Sequence, residues 1–154
     1  MARGQGAAGD PGARAASGLT PRLTVAVHDL LQARAALAAA EELGLEVELA
    51  TAPGLAAFAG VGFCVALGEL VGRPILVDCG AESGTALAAL RTGARRVLLR
   101  GAPAVRGKLA DIAAQLGAEL LAEAPPPLLT VAPGEDAAAA LAAWTARRDA
   151  TGPS

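Results

Sequence analysis

Short aliphatic or β-branched runs recur along this chain, and most are followed by an alanine-rich stretch that ends at a glycine. The runs begin near residues 23, 46, 74, 96 and 118, at spacings of about 22 to 28 residues. Such an interval holds one strand, one helix and two short connections, so the pattern indicates repeated βα units. A glycine after each helix is typical of a left-handed C-cap. The sequence therefore predicts an α/β fold with a parallel sheet and right-handed crossovers.

The predicted strands are short and apolar, and they cover residues 23–27, 46–50, 74–77, 96–99 and 119–122. The predicted helices between them cover residues 30–43, 60–71, 84–92 and 104–116. A proline break at 125–127 precedes a last helix at about 135–148, which contains Trp144. We expect a single domain over residues 21–148, a disordered leader at 1–20 and a disordered tail at 149–154.

Composition excludes several classes of function. The 154 residues carry 13 basic and 15 acidic side chains, a net charge of −2, and only 2% aromatic residues. A nucleic-acid-binding domain would show a basic excess or aromatic stacking platforms, so we expect no nucleic-acid partner.

Residues 49–68 carry no charge, but Thr51, Pro53 and several glycines interrupt them, which favours a buried strand, loop and helix over a membrane span. Two cysteines make no disulfide framework, so we expect reduced thiols and a cytoplasmic protein.

Polar side chains follow several predicted strands at the point where each strand ends. His28 follows the first strand, Asp78, Cys79 and Gly80 follow the third, and Arg100 follows the fourth. Ligands of parallel α/β proteins bind at this edge, where these groups would supply an acid–base pair and an anion contact. Structural roles are the alternative: a helix cap for His28 or Asp78, a buried apolar position for Cys79 and a surface ion pair for Arg100.

Residues 74–80, Pro-Ile-Leu-Val-Asp-Cys-Gly, resemble the strand of class II fructose-bisphosphate aldolases that ends in Leu-Asp-His-Gly. Residues 30–42, 47–67 and 86–99 resemble further helices and strands of that family, so the resemblance spans about residues 22–120. It implies half of a (βα)8 (TIM) barrel, whereas the alternating pattern alone also permits a flavodoxin-like open sheet.

The resemblance also implies roles for two residues. Asp78 takes the place of the catalytic acid/base of the family, and Cys79 takes the place of a zinc-binding histidine. The other zinc histidines and the phosphate-binding loops of the family fall in the half of the barrel that this chain lacks. We therefore expect no cofactor, with zinc as the alternative.

These features predict a small-metabolite-binding protein derived from an aldolase-like half barrel. Its ligand would be anionic or sugar-phosphate-like, contacted by His28, Gly80, Asp78 and Arg100. One alternative is an aldolase-like lyase or isomerase active as a homodimer, in which two half barrels close one barrel. The other is a non-enzymatic protein-interaction domain that uses the Ala-rich last helix.

Overall fold

A computed structural model describes residues 20–152, which form six strands and six helices. In chain order these are β1 (Arg22–Val27), α1 (Leu30–Leu43), β2 (Glu46–Thr51), α2 (Leu55–Ala59), α3 (Val61–Val71), β3 (Ile75–Asp78), α4 (Ser83–Thr92), β4 (Arg96–Leu98), α5 (Pro103–Gln115), β5 (Glu119–Leu121), β6 (Leu128–Thr130) and α6 (Ala137–Thr151). The predicted leader, apart from Thr20, and the last two residues of the predicted tail lie outside the described residues.

All six strands are parallel and form one sheet in the order β5-β4-β3-β2-β1-β6. Strands β1 to β5 follow one another in chain order, and β6 joins the other edge of β1. The prediction of a parallel βα domain is confirmed. The flavodoxin-like alternative is wrong in its strand order, because that sheet places β1 between β2 and β3, whereas here β2 lies between β1 and β3.

Every helix packs on the same face of the sheet. Side chains alternate between the two faces along a strand, and those of Val25, Leu49, Val77 and Val97 belong to one core cluster with buried residues of all six helices. The helices bring mainly small side chains to that cluster, among them Ala33, Ala36, Ala86, Ala89 and Ala113. A continuous run of right-handed crossovers that always moves in the same direction along the sheet produces this one-sided arrangement.

The second face of the sheet is covered by a loop. Its buried centre consists of Ala26, Ala50, Leu76 and Leu98, and Leu121 and Ala124 pack against that cluster. Ala124 belongs to residues 122–127, the connection from β5 to β6, which we call the strap. The strap is held by Thr24, whose hydroxyl donates to the carbonyl of Pro125 over 2.7 Å and whose backbone N–H donates to that of Pro127 over 2.9 Å.

Chain length dictates the path of the strap. Strands β5 and β6 lie at opposite edges of the sheet, and five strand spacings of about 4.8 Å amount to about 24 Å. Seven residue steps from Leu121 to Leu128 span about 24 Å when fully extended. The connection must therefore take a direct path across the face.

Two elements were not predicted, and one helix is longer than predicted. Strand β6 consists of three residues directly after the prolines, and α2 is a five-residue helix inside the uncharged stretch. Helix α6 continues to Thr151, so residues 149–151 are helical where a disordered tail was predicted. The uncharged stretch folds as the end of β2, α2 and most of α3, and no helix among residues 20–152 is both long and apolar enough to cross a membrane.

The side chain of Gln32 ties the first and last parts of the chain together. It is 3% exposed. Its Oε1 accepts the backbone N–H of His28 over 2.8 Å, and its Nε2 donates to the carbonyls of Ala132 and Glu135 over 2.7 and 3.1 Å. Since Ala132 and Glu135 lie between β6 and α6, this side chain fixes α6 beside α1. The Ala-rich last helix is therefore packed on its own domain through Ala137, Ala140 and Leu141.

Gly68 in α3 has no room for a side chain. A Cβ there would lie 2.8 Å from the carbonyl oxygen of Arg73 and 3.2 Å from Cγ2 of Ile75. We expect Gly68→Ala to lower the free energy of unfolding by about 1–3 kcal/mol through this overlap. The matched control is Gly107→Ala in α5, where the space is open and the higher helix propensity of alanine adds about 0.5–1 kcal/mol. Urea unfolding checks both; equal effects would contradict the packing argument.

Gln32→Leu keeps the size of the side chain and removes all three hydrogen bonds. Because one N–H and two carbonyls lose their partner, we expect a loss of about 3 kcal/mol in the free energy of unfolding. Gln115→Leu, at an exposed position of α5, is the control and should change stability by less than about 0.5 kcal/mol. Thermal unfolding of the two variants compares them, and a Gln32→Leu protein as stable as the control would show that the network contributes nothing.

Candidate ligand site at the carboxyl edge of the sheet

Strand register brings three of the predicted site residues to one face. Val27 pairs with Thr51 and Ala50 pairs with Leu76, so His28, Ala52 and Asp78 continue one row across β1, β2 and β3. By alternation, His28 and Asp78 lie on the face that the strap covers, and Arg100 follows Leu98 on that face. His28 and Asp78 are two strands apart, about 10 Å between backbones.

Asp78 is the best-anchored residue of this group. It is 7% exposed. Its Oδ1 accepts the backbone N–H of Gly80 over 2.9 Å and Nη1 of Arg100 over 3.3 Å. The backbone N–H of Asp78 donates to Oγ1 of Thr51 on the neighbouring strand over 2.9 Å. These contacts hold one carboxylate in a defined position at the end of β3.

The guanidinium of Arg100 forms an ion pair with Asp78 and stays half-exposed to solvent. Its side chain is 50% exposed, against 8% for the carboxylate of Asp78 with which it pairs. Its backbone N–H donates to the carbonyl of Gly80 over 2.7 Å. The guanidinium carries five N–H donors in a planar fork, and a single contact to Oδ1 leaves donors free for a second anion. The interpretation of Arg100 as a plain surface ion pair is thus incomplete, because its partner is buried.

His28 is half-buried at the end of β1, and its backbone N–H donates to Oε1 of Gln32. Its Nδ1 is buried and has no hydrogen-bond partner. A helix cap was the alternative role for His28, but the residue that caps α1 is its neighbour Asp29. The side chain of Asp29 accepts the backbone N–H of Gln32 over 2.7 Å. The imidazole is therefore not used to cap the helix.

Gly80 leaves open space next to Asp78 and Arg100. Its N–H is already bonded to Asp78, so it does not present a free donor. Its φ of +58° is in the left-handed region, and nothing lies within 4 Å of the position that a Cβ would occupy. A side chain would stand in that space, so glycine leaves the backbone beside Asp78 and Arg100 open to a ligand.

Cys79 is not brought to this group. Alternation turns its side chain to the helix layer, where it is 5% exposed and belongs to the main core with Cys64. Burial, together with the negative charge of Asp78 and a smaller contribution from Cys64, raises the pKa of the Cys79 thiol to about 12. Burial also raises the pKa of Cys64, partly opposed by a hydrogen bond with Thr51.

Zinc does not fit these donors. The side chain of Cys79 lies in the helix layer, on the opposite face of the sheet from Asp78 and His28, so these three groups do not converge on one ion. Among residues 20–152, no three His, Cys, Asp or Glu side chains group as a metal site.

Four cavities of the molecule lie away from these residues. Three are at the amino-end edge of the sheet, with volumes of about 310, 610 and 450 Å³, and one of about 290 Å³ lies between the starts of α1 and α6. The 450 Å³ cavity is bordered by the strap and by Arg96, whose ion pairs with Glu48 and Glu119 already use its charge. Neither His28, Asp78 nor Arg100 lines any of these four cavities.

Two residues of the site were missed from the sequence. Thr51 fixes the backbone of Asp78, and Gln32 fixes that of His28. A threonine at the end of a predicted strand and a glutamine in the first turn of a helix are common in both structural and functional positions. Only the pairing of β2 with β3 makes Thr51 a neighbour of Asp78, and only the pairing of β6 with β1 brings Ala132 and Glu135 to the side chain of Gln32.

The raised pKa of Cys79 predicts a loss of stability in alkali. The folded state keeps this thiol protonated up to about pH 12, whereas the unfolded chain ionises it near pH 9. The free energy of unfolding is therefore unaffected by this thiol well below pH 9 and falls as the pH rises from 9 toward 12, with a loss of about 1.4 kcal/mol at pH 10. Denaturant unfolding measured from about pH 7 to pH 10 should show a steeper decline for the native sequence than for Cys79→Ala. An equal decline in the unfolding free energy of the two proteins would contradict the raised pKa of Cys79.

Comparison with known proteins gives no family assignment: the sequence matches no protein-family model, and no curated protein matches it.

Proposed function

We propose that this protein binds a small anionic metabolite at the carboxyl edge of its sheet. The observation that carries the proposal is the Asp78–Arg100 pair, in which a buried carboxylate anchors a half-exposed guanidinium. A guanidinium anchored on one side is suited to hold an anion in a fixed direction, since little side-chain entropy remains to be lost.

Each residue at this edge has a different role in binding. Arg100 supplies charge-assisted donors to a phosphate or carboxylate. Asp78 positions Arg100, and the space at Gly80 admits the ligand. His28, two strands from Asp78, supplies a polar contact to the part of the ligand that lies away from Arg100. A sugar phosphate or a short dicarboxylic acid carries the anionic group that Arg100 would bind.

Separation of His28 from Asp78 favours binding over acid–base catalysis. General acid and base groups act on a substrate within hydrogen-bond reach, about 2.6–3.2 Å. A substrate bound between the two residues would meet them at atoms far apart. We therefore propose a binding protein rather than an aldolase-like lyase.

We further propose that residues 22–121 correspond to the first part of a (βα)8 barrel related to class II aldolases. Sequential order of β1 to β5, with all crossover helices on one face, supports this relationship. In a closed barrel the last strand would pair with β1 on the edge that β6 occupies here. The chain thus resembles a barrel from which the strands between β5 and β6 are missing, with the strap in their place.

The test is a thermal-shift titration of the full chain with inorganic phosphate, dihydroxyacetone phosphate and malate. A ligand at 100 times its dissociation constant stabilises the folded state by about 2.7 kcal/mol, which corresponds to about 5–10 °C in Tm for a domain of this size. We expect such a shift for at least one anion, and we expect Arg100→Gln to remove it.

Arg91→Gln is the matched control, because Arg91 is an exposed arginine at the other end of α4. It should keep the full shift. The absence of a shift with any of the three anions, or an equal loss in both variants, would overturn the proposed site. Asp78→Asn should weaken binding less than Arg100→Gln, since it loosens the guanidinium without removing it.

A further inference from the structure

Three arginines among residues 20–152 are half-buried, namely Arg96, Arg106 and Arg148. Arg96 and Arg148 each form an ion pair with a neighbouring acid. Within the same residues no acid lies at ion-pair distance from Arg106, and its Nε is buried without a hydrogen-bond partner. Arg106 is therefore a partly desolvated charge that the folded chain leaves unpaired.

An unpaired charge of this kind disfavours folding unless something binds it. A charge that is taken out of water must be paired or hydrogen-bonded. A buried polar atom without a partner in a native protein indicates a water, an ion or a ligand group beside it. The helix of Arg106 offers no counter-charge, because the first turn of α5 contains no acid.

Helix geometry turns Arg106 toward the carboxyl edge of the sheet. Leu109 and Ala113 follow it by three and seven positions and are buried in the main core, so Arg106 lies on the inner side of α5. Side chains of a helix lean toward its first residue, and α5 begins just after β4 ends. The side chain of Arg106 therefore extends toward the end of β4, where Arg100 stands.

Arg100 and Arg106 are close enough to contact one ligand. Pro103, the first residue of α5, lies three positions from each of them. Three extended residues span at most about 11 Å and three helical residues rise about 4.5 Å, so the two Cα atoms are no more than about 16 Å apart. Two extended arginine side chains with an anion between them cover that distance.

We propose that Arg106 is a second anion-binding residue of the candidate ligand site and that the ligand is a phosphate ester. This inference rests on the proposed function, in which Arg100 binds the anionic group. The Asp78–Arg100 pair has no net charge, so attraction of an anion to this edge requires a further positive group. Arg106 supplies that charge.

The number of donors favours a phosphate over a carboxylate. Part of the Arg100 fork is used by Asp78, whereas Arg106 has no such contact, and the two guanidinium groups approach from different directions. A phosphate ester presents three acceptor oxygens that point different ways, and each arginine can bind it through parallel N–H bonds. A carboxylate presents two oxygens in one plane, which a single arginine fork satisfies.

Isothermal titration calorimetry of the full chain with dihydroxyacetone phosphate and with malate tests the inference. We expect the phosphate ester to bind more tightly than malate, and Arg106→Gln to weaken binding of the phosphate ester at least about tenfold. Arg106→Lys keeps the charge without the planar fork, so its affinity should lie between those of the native protein and Arg106→Gln.

Lys108→Gln is the matched control, because it removes one positive charge from the same helix. Lys108 is exposed, and two positions along a helix place it on the opposite side from Arg106. It should change the dissociation constant of the phosphate ester by less than about threefold.

The Tm of the ligand-free variants separates binding from a structural role. Because an unpaired, half-buried charge is removed, Arg106→Gln should unfold at the native Tm or above it. A Tm clearly below that of Lys108→Gln would show that Arg106 supports the fold and would overturn the inference.

The two proposals fail in different ways. Binding that requires Arg100 but is equal in Arg106→Gln and Lys108→Gln, or malate binding that is tighter than that of the phosphate ester, would overturn this inference and leave the proposed function intact. A native chain that binds neither compound would overturn both.

Discussion

The second face of the sheet depends on the strap, because every helix lies on the first face. Leu76 and Leu98 are 0% and 1% exposed there, and burying two leucines contributes about 3–6 kcal/mol. The return of the chain from β5 to β6 supplies that cover and at the same time brings β6 to the edge of β1. One connection thus completes the core and sets the strand order.

The position of the strap also determines which part of the sheet a ligand can reach. Thr24 binds the strap over the amino half of β1, and Ala124 packs over the centre of the face. Beyond these contacts the strands end at His28, Asp78 and Arg100. Asp78 therefore lies at the boundary between a dry interior and solvent, where a carboxylate needs partners, and the N–H of Gly80 and the guanidinium of Arg100 supply them.

The strand and helix pattern was largely readable from the sequence, because local chemistry carries it. Aliphatic runs predicted β1 to β5, and glycines marked the ends of α1, α3 and α4, where each adopts a positive φ. Strand β6 and α2 were missed because three or five residues give no clear periodicity. The grouping of His28 with Asp78 and Arg100 was predicted from strand ends, whereas Cys79 was grouped with them in error because its neighbour Asp78 faces the other way.

By itself the sequence determined the repeated βα units, their direction and the polar residues at the strand ends, since strand alternation, helix periodicity and glycine conformation act over a few residues. Tertiary structure alone decided that β6 pairs with β1, that Gln32 joins α1 to the start of α6, and that both phenylalanines stay outside the core. These features join residues about a hundred positions apart or depend on which face a helix presents. Their cause is the packing of the whole chain, in which mainly small side chains of the helices cover the sheet.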